Sequence, residues 1–400
     1  MDERLQFVRD AASDRFTMSE LCARYGVSRR IGYKWIARYD AEGRRGLAER
    51  SRAPHHCPHA VAPRLAELLV AAREAHPHWG ARKLLRVLAT KHPRTTQWPA
   101  ASTVADLLAR RGLVQQRHRR RSPEHPGVVR ATSDAPNDLW SADFKGQFRT
   151  GNGIYCYPLT IQDGATRFLL GCRGMLALTT EGSWPVFAQL FRRYGLPERI
   201  RSDNGAPFAS NALGRLSTLS VWWVRLGIRP ELIEPAHPEQ NGRHERMHKT
   251  LKADTARPPK GDLAAQQRRF DWFCHRYNVE RPHEALGDAT PASCYTASPR
   301  RYQAALAPLV YPGHFERRLV SRNGGVRWNN RWVNASHLLA ELEIGFEEID
   351  DGLWNVFFGP VWLGRFHEQV GRIVDQLGRL TRRKGDNHKG KNYKKVLPIS

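Results

Sequence analysis

Apolar side chains recur every three to four positions through roughly the first hundred residues. From about residue 138, and again between 310 and 370, every second position is apolar over short runs. The first period marks amphipathic helices and the second half-buried strands. A helix is expected over 5–12. Thr17 is placed to cap the next one, with Glu20 three positions on as its capping-box partner, and Leu21, Cys22 and Tyr25 share one face. Gly26 breaks that helix. Over 29–40, Ile31, Trp35, Ile36 and Tyr39 keep helical spacing and leave Arg29, Arg30, Tyr33, Lys34 and Arg38 outside the apolar stripe. Helix, glycine turn and basic helix is a helix-turn-helix pattern, whose second helix reads a major groove; the plainer alternative is a small bundle with a solvated basic face.

A second helical unit is expected over 60–117. Leu65, Leu68, Leu69 and Ala72 form one stripe, Trp79-Gly80-Ala81-Arg82-Lys83-Leu84-Leu85 opens another helix, Ser102 is placed to cap a third, and Gly112 ends it. This unit is either a second helix-turn-helix or a spacer. Residues 118–136 read as a basic, extended linker suited to tracking phosphates.

Over 137–300 the pattern is α/β. Strands are expected over 139–148, 154–162 and 168–176, with a hairpin signal at Gly151-Asn152-Gly153. Then come a helix over 181–194, a strand over 199–202, a helix over 211–226, a strand over 228–233, and helices from 243 and over 262–278. Three antiparallel strands followed by alternating helix and strand is the order of an RNase H-like domain. Over 310–370, residues such as Phe315, Val326, Trp328, Trp332, Phe346, Trp354 and Phe358 suggest a small β-barrel, with turns at Asn329-Asn330 and Asp351-Gly352. Residues 379–400 read as a disordered basic tail. The expected fold class is therefore multidomain: N-terminal all-α helix-turn-helix units, a central α/β RNase H-like domain and a C-terminal small β-barrel.

Charge changes the picture more than composition. Lysine and arginine number 64 against 39 acidic residues, a net charge of +25 over 400 residues. Such an excess points to an extended polyanion, and nucleic acid is the commonest. Six cysteines without a C-x-x-C pair argue against a disulfide framework or zinc ribbon. No apolar run is long enough to span a membrane, and MDERLQFVRD lacks a signal-peptide core. A reducing compartment is the default.

Two carboxylates stand out. Asp143 lies mid-strand in Trp140-Ser141-Ala142-Asp143-Phe144, where an acid is costly unless paired or bound to a cation. Asp203 lies just past a strand end in Ser202-Asp203-Asn204-Gly205. A third carboxylate is expected after the fifth strand, and two compete. Glu239 sits in a loop bracketed by Pro238 and Gly242. Glu245 sits in the first turns of the next helix, with Lys249 and Lys252 on its face and Met247 and Leu251 on the buried side. His244-Glu245-Arg246-Met247-His248 also matches the H-E-x-x-H zinc-peptidase helix. That reading has no evident third ligand and leaves the charge unexplained.

Four stretches in this order carry a resemblance: Leu139-Trp140-Ser141-Ala142-Asp143-Phe144; Arg201-Ser202-Asp203-Asn204-Gly205; the run from His237 to Lys252; and Tyr277-Asn278-x-x-Arg281-Pro282-His283-x-Ala285-Leu286 with Thr290-Pro291. The chain resembles the bacterial insertion-sequence DDE transposases, which share the retroviral-integrase catalytic core. The match covers most of 1–300. Carried over, it puts the catalytic and metal-holding carboxylates on Asp143, Asp203 and Glu245. The interval usual in the family would end on Glu239, with 35 residues between it and Asp203, whereas 41 separate Asp203 from Glu245. The local P-x-Q-x-G loop and the basic helix that follows favour Glu245, with the extra residues lengthening the 211–226 helix.

The resemblance implies a transposase that binds terminal inverted repeats and catalyses DNA strand cleavage and strand transfer. It implies two Mg²⁺ ions roughly 3.5–4 Å apart, with Mn²⁺ as a substitute, Asp143 bridging them and Asp203 and Glu245 each holding one. Arg29, Arg30, Tyr33, Lys34 and Arg38 would contact end DNA, and Lys249 and Lys252 phosphates near the site. Partners would be double-stranded element-end and target DNA and a second copy or more of the chain in a synaptic complex, with no membrane. The expected location is the bacterial cytoplasm, on the nucleoid. Two other classes fit the same residues: a regulator with an inactive core, and a nuclease that cuts RNA–DNA hybrids without joining.

Overall fold

The computed structural model describes residues 2–50, 60–114, 133–233 and 242–381. Most of the expected linker, Glu239 and residues 382–400 of the expected tail lie outside them. The chain divides into two compact units, Met1–Pro63 and Arg64–Ser400. Among the described residues no helix is long and apolar enough to cross a membrane.

The first unit holds α1 (Asp2–Ala12), α2 (Met18–Arg24) and α3 (Arg29–Glu42). The Thr17 capping box forms as expected: the Thr17 amide donates to the Glu20 carboxylate at 2.8 Å and the Glu20 amide to Thr17 Oγ1 at 3.4 Å. Phe7, Val8, Leu21, Cys22 and Leu47 are buried, with Trp35, Ile36 and Tyr39 packed against them. Ile31 breaks the expected stripe by standing exposed; the buried position is Gly32. A Cβ at Gly32 would lie 2.8 Å from Phe7 Cζ and 2.9 Å from Cys22 Sγ, so α3 meets the other two helices where it carries no side chain.

The second unit opens with α4 (Pro63–Ala75), α5 (Ala81–Lys91) and α6 (Ala101–Arg110). Ala100, not Ser102, is the N-cap of α6. Leu69, Leu84, Leu88, Val104 and Leu108 are buried, and Arg73 donates to the Leu113 carbonyl, tying α4 to the chain beyond α6.

The central domain contains β1 (Leu139–Phe144), β2 (Phe148–Arg149), β3 (Tyr155–Asp163), β4 (Leu169–Met175), α7 (Thr180–Tyr194), β5 (Arg199–Ser202), α8 (Thr218–Arg225), β6 (Arg229–Leu232), α9 (Gly242–Thr255), α10 (Leu263–His275) and α11 (Pro291–Cys294). β1 lies between β3, antiparallel, and β5, parallel. β6 extends the sheet beside β5, and β4 pairs with β3. One apolar cluster joins Trp140, Ala142 and Ile200 to Phe187 and Phe191 of α7 and Trp222 and Trp223 of α8. Another joins Cys156, Leu169 and Cys172 to Met247 and Leu251 of α9 and Phe270 and Phe273 of α10. The sheet is thus sandwiched between helix layers in the RNase H-like arrangement.

Two expected elements are shorter. The strand over 139–148 is broken at 145–147, where Gly146 has φ 45°. The helix over 211–226 is only α8, preceded by an irregular segment with Gly214 and Arg215 at positive φ. The extra residues before Glu245 therefore do not lengthen this helix. Leu213 and Leu216 are drawn instead into the core of the C-terminal region.

Asp163 ends β3 fully buried, accepting from the amides of Asn137 and Thr166 at 2.8 Å each and from Thr166 Oγ1 at 2.7 Å. It fastens the chain entering β1 to the β3–β4 turn. Asp163→Ala would leave three buried donors without an acceptor and should lower the unfolding free energy by roughly 3 kcal/mol. Chemical denaturation checks this, and an unchanged midpoint would refute the anchoring role.

The C-terminal region contains β7 (Glu316–Leu319), β8 (Gly325–Trp328), β9 (Arg331–Asn334), β10 (Glu343–Asp350), β11 (Leu353–Phe358), β12 (Val361–His367) and β13 (Arg372–Val374). The expected barrel does not form. Five strands make an open sheet in the order β13-β12-β11-β10-β7, and β8 and β9 pair as a separate hairpin across the Asn329-Asn330 turn. Closure is replaced by coverage: Trp328 of the hairpin packs on Phe346, Trp354 and Phe366 of the sheet with ring centroids 4.8–5.1 Å apart. The start of the expected tail is ordered, with Leu380 bridging to Val374.

Candidate functional site

Pairing of β1 with β5 sets the site. Ala142 is in register with Ser202, so Asp143 and Asp203 follow side by side at the ends of two neighbouring parallel strands. Alternation along β1 sends Trp140 and Ala142 into the core under α7 and α8, and Ser141 and Asp143 to the opposite face, under α9. Asp143 and Asp203 are half-buried, whereas Glu245, in the first turn of α9, is exposed. Burial pushes the Asp143 carboxyl up to about 7, reinforced by the Asp203 carboxylate and, more weakly, by Glu245; Lys145 opposes the shift. Burial also raises Asp203, against the Gly205 amide that bonds it. Two desolvated carboxylates side by side, with a third acid in electrostatic reach, form a donor set suited to a hard divalent cation.

The sequence did not reveal what supports Asp143. Its register partner on β3 is Thr160, whose hydroxyl donates to the Asp143 carbonyl at 3.0 Å and lies 2.6 Å from Nε2 of both His244 and His248. With its one proton given to that carbonyl, the Thr160 oxygen accepts the Nε2–H of both imidazoles. Ser141 Oγ lies 2.8 Å from His244 Nδ1, and His248 Nδ1 lies 3.7 Å from Asp143 Oδ2. Both rings are buried, and burial lowers His244 to about 3 and His248 to about 2, so they are neutral at physiological pH. Ligand atoms of Asp143, His244 and His248 all lie within 4.8 Å of one another. The four-residue spacing of the histidines, with Met247 and Leu251 on the same buried side, was the available signal.

Asp143 stands where the H-E-x-x-H pattern had no evident third ligand. The histidines turn inward to Thr160 while Glu245 faces out. Lys249 and Lys252 are exposed on α9, as expected. On α3, Arg29, Arg30, Tyr33 and Lys34 are exposed and Arg38 is half-buried. Glu239 lies outside the described residues.

Residues 133–238 and 226–291 match the family described as Integrase core domain, residues 3–55 match Helix-turn-helix domain, and residues 31–108 match Homeodomain-like domain. The chain is 28% identical over 259 residues to the insertion element IS476 uncharacterized 39.2 kDa protein of Xanthomonas euvesicatoria, covering 63% of this chain and 70% of that one. It is 27% identical over 200 residues to the insertion element IS407 uncharacterized 31.7 kDa protein of Burkholderia multivorans, covering 45% of this chain and 64% of that one. It spans 7% of the Gag-Pol polyprotein of feline leukemia virus, to which 31% of it is 28% identical. Among solved structures, the HTLV-2 integrase catalytic core domain in complex with magnesium matches 40% of this chain and 98% of its own at 14% identity, with a TM-score of 0.31. The integrase-core and helix-turn-helix matches fall in the order its motifs require and, with the two insertion-element relatives, support a bacterial insertion-sequence DDE transposase.

Proposed function

We propose that this chain cuts DNA at the ends of an insertion element and joins the freed ends to target DNA. The observation that carries the reading is the side-by-side placement of the half-buried Asp143 and Asp203 carboxylates at adjacent strand ends, with Glu245 at the head of the facing helix. These three would hold divalent cations, Mg²⁺ with Mn²⁺ as a substitute. A divalent cation bound there would neutralise charge on the attacking and leaving oxygens of a phosphodiester. His244 and His248 would hold the Thr160 hydroxyl that fixes the Asp143 backbone, so that support behind the ligand orients it. Lys249 and Lys252, exposed on the Glu245 helix, would hold phosphates beside the site. Water attack would free a 3′-hydroxyl at the element end, and that hydroxyl would then attack target DNA in line.

Arg29, Arg30, Tyr33, Lys34 and Arg38 of α3 would contact the terminal repeats, and residues 60–117, the basic linker and the C-terminal region would add non-specific DNA contacts. Joining two ends to one target requires both ends in one complex, hence a homodimer or larger assembly.

Full-length protein incubated with end-labelled repeat duplex, a supercoiled target and Mg²⁺ tests this. Nicked end product and joined product are expected, both lost in chelator. Cleavage without joining would favour a plain nuclease, and binding without cleavage an inactive regulator.

A further inference from the structure

Two sequence stretches that the carboxylate chemistry leaves unused meet in the folded chain. One is Trp79-Gly80-Ala81-Arg82-Lys83, which opens α5. The other is Tyr277-Asn278-x-x-Arg281-Pro282-His283, which follows α10. Arg276 donates to the Ala75 carbonyl at 2.7 Å and its guanidinium lies 5.6 Å from the Trp79 ring. His78 approaches Asp254 of α9 at 3.6 Å, and Arg82 approaches Glu284 at 3.9 Å.

Tyr277 and Asn278 have structural work. The Tyr277 hydroxyl accepts from Gln162 at 3.1 Å, and the Asn278 amide bonds both backbone groups of Leu169 at 2.8 and 2.9 Å. Arg281 and His283 are different. Arg281 Nε and His283 Nε2 are buried with no hydrogen-bond partner among the described residues, and the Arg281 guanidinium rests 5.6 Å from the Tyr277 ring.

Lys83 and Arg246 complete a cluster around them. Burial pulls the Lys83 ammonium down to about 8, followed by the charges of Arg281 and then Arg246; Asp288 and Glu284 offset this only in part. Glu284 is itself an exposed partner of Arg82. Burial likewise lowers Arg281, with Arg246 and Arg276 adding to it and Tyr277 and Asp254 opposing. His283 is lowered to about 3 by burial and by Arg281, Lys83 and Arg167. Two half-buried cations, Lys83 and Arg281, and the exposed Arg246 lie within electrostatic reach of one another, and Asp288, Glu284 and Asp254 offset them only in part. Such an arrangement is unfavourable alone and favourable around an anion. Arg246 follows Glu245 on α9, which links the cluster to the helix of the third carboxylate.

We propose that Lys83, Arg246 and Arg281, walled by His283, form a pocket for one backbone phosphate of bound DNA. A guanidinium and an ammonium converging on one anion suit a phosphodiester, which offers two non-bridging oxygens. The pocket rests on the DNA-joining reading for its ligand but not on the chemistry.

The test is duplex binding by the full chain in EDTA, so that nothing is cut, across a salt series. Lys83→Gln and Arg281→Gln should each weaken binding on the order of tenfold and reduce the log–log salt slope by about 0.9. The double variant should lose less than the product of the two, because both hold one phosphate. Without DNA, Lys83→Gln should melt above the wild type, since it relieves buried like-charge repulsion. Lys91→Gln removes the same charge from the far end of α5 and serves as the reference. If Arg281→Gln shows no melting transition, Lys83→Gln alone decides. A slope change in Lys83→Gln no larger than that of Lys91→Gln overturns the pocket and leaves the DNA-joining reading standing. Absence of salt-dependent duplex binding in the wild type overturns both.

Discussion

Asp143→Asn, Asp203→Asn and Glu245→Gln should each abolish cleavage and joining while leaving DNA binding intact or tighter. Each substitution keeps shape and removes the charge that would hold a divalent cation. Such a cation supplies several kcal/mol of transition-state stabilisation, so the expected loss is on the order of a thousandfold or more. Binding should persist because a carboxylate near phosphate repels it. The informative contrast is with Glu239→Gln. Glu239 satisfies the interval from Asp203, whereas Glu245 satisfies the local sequence and stands at the head of α9, where its charge acts on Asp143. Measurable activity is therefore expected in Glu239→Gln. Rates of end nicking and strand transfer for the four variants decide it. A dead Glu239→Gln beside an active Glu245→Gln would reassign the third carboxylate without touching the first two.

Gly32→Val should destroy sequence-specific end recognition. The added Cβ would meet Phe7 and Cys22 at under 3 Å, and the branched methyls would drive α3 off α1 and α2. Overpacking costs typically 1–3 kcal/mol, and a unit of this size has little more than that to lose. The first unit should therefore be largely unfolded, with non-specific duplex binding by the remaining basic chain preserved. Footprinting on repeat DNA and protease sensitivity of the N-terminal segment measure the two halves of the expectation. Ile31→Ala, one position along but exposed, should change neither protease sensitivity nor the fold. Retained repeat-specific binding in Gly32→Val would exclude this unit as the reader.

The different visibility of these two positions has a physical origin. The Thr17–Glu20 box, the turn glycine at 26 and the paired asparagines at 329 and 330 act within a few residues, so their chemistry is written where it operates. Gly32 looks like an ordinary helix glycine because the atoms that need the space belong to α1 and α2. The stripe logic that selected Ile31 assumes that the helix face rich in apolar residues is the one that packs. Here close backbone approach decided otherwise.

The sequence by itself determined the helical N-terminal region, the strand and helix order of the central domain, and Asp203 at a strand end, because two- and 3.6-residue periods report which side of an element is buried; Asp143, expected mid-strand, stands near a strand end because β1 stops at Phe144. It also determined the exposed face of α9 with Glu245, Lys249 and Lys252. Tertiary structure alone decided which neighbours those buried faces meet. The irregular segment around Gly214 replaces a helix because Leu213 and Leu216 are claimed by the C-terminal sheet. The sheet stays open because the β8–β9 hairpin covers its apolar face. His244 and His248 become the support of Asp143 only because the β1–β3 register brings Thr160 between them. Lys83 and Arg281, 198 residues apart, become neighbours only through the packing of α5 against the chain after α10. Local pattern fixes burial, but pairing between distant segments depends on the register and shape of surfaces that exist only once both have folded.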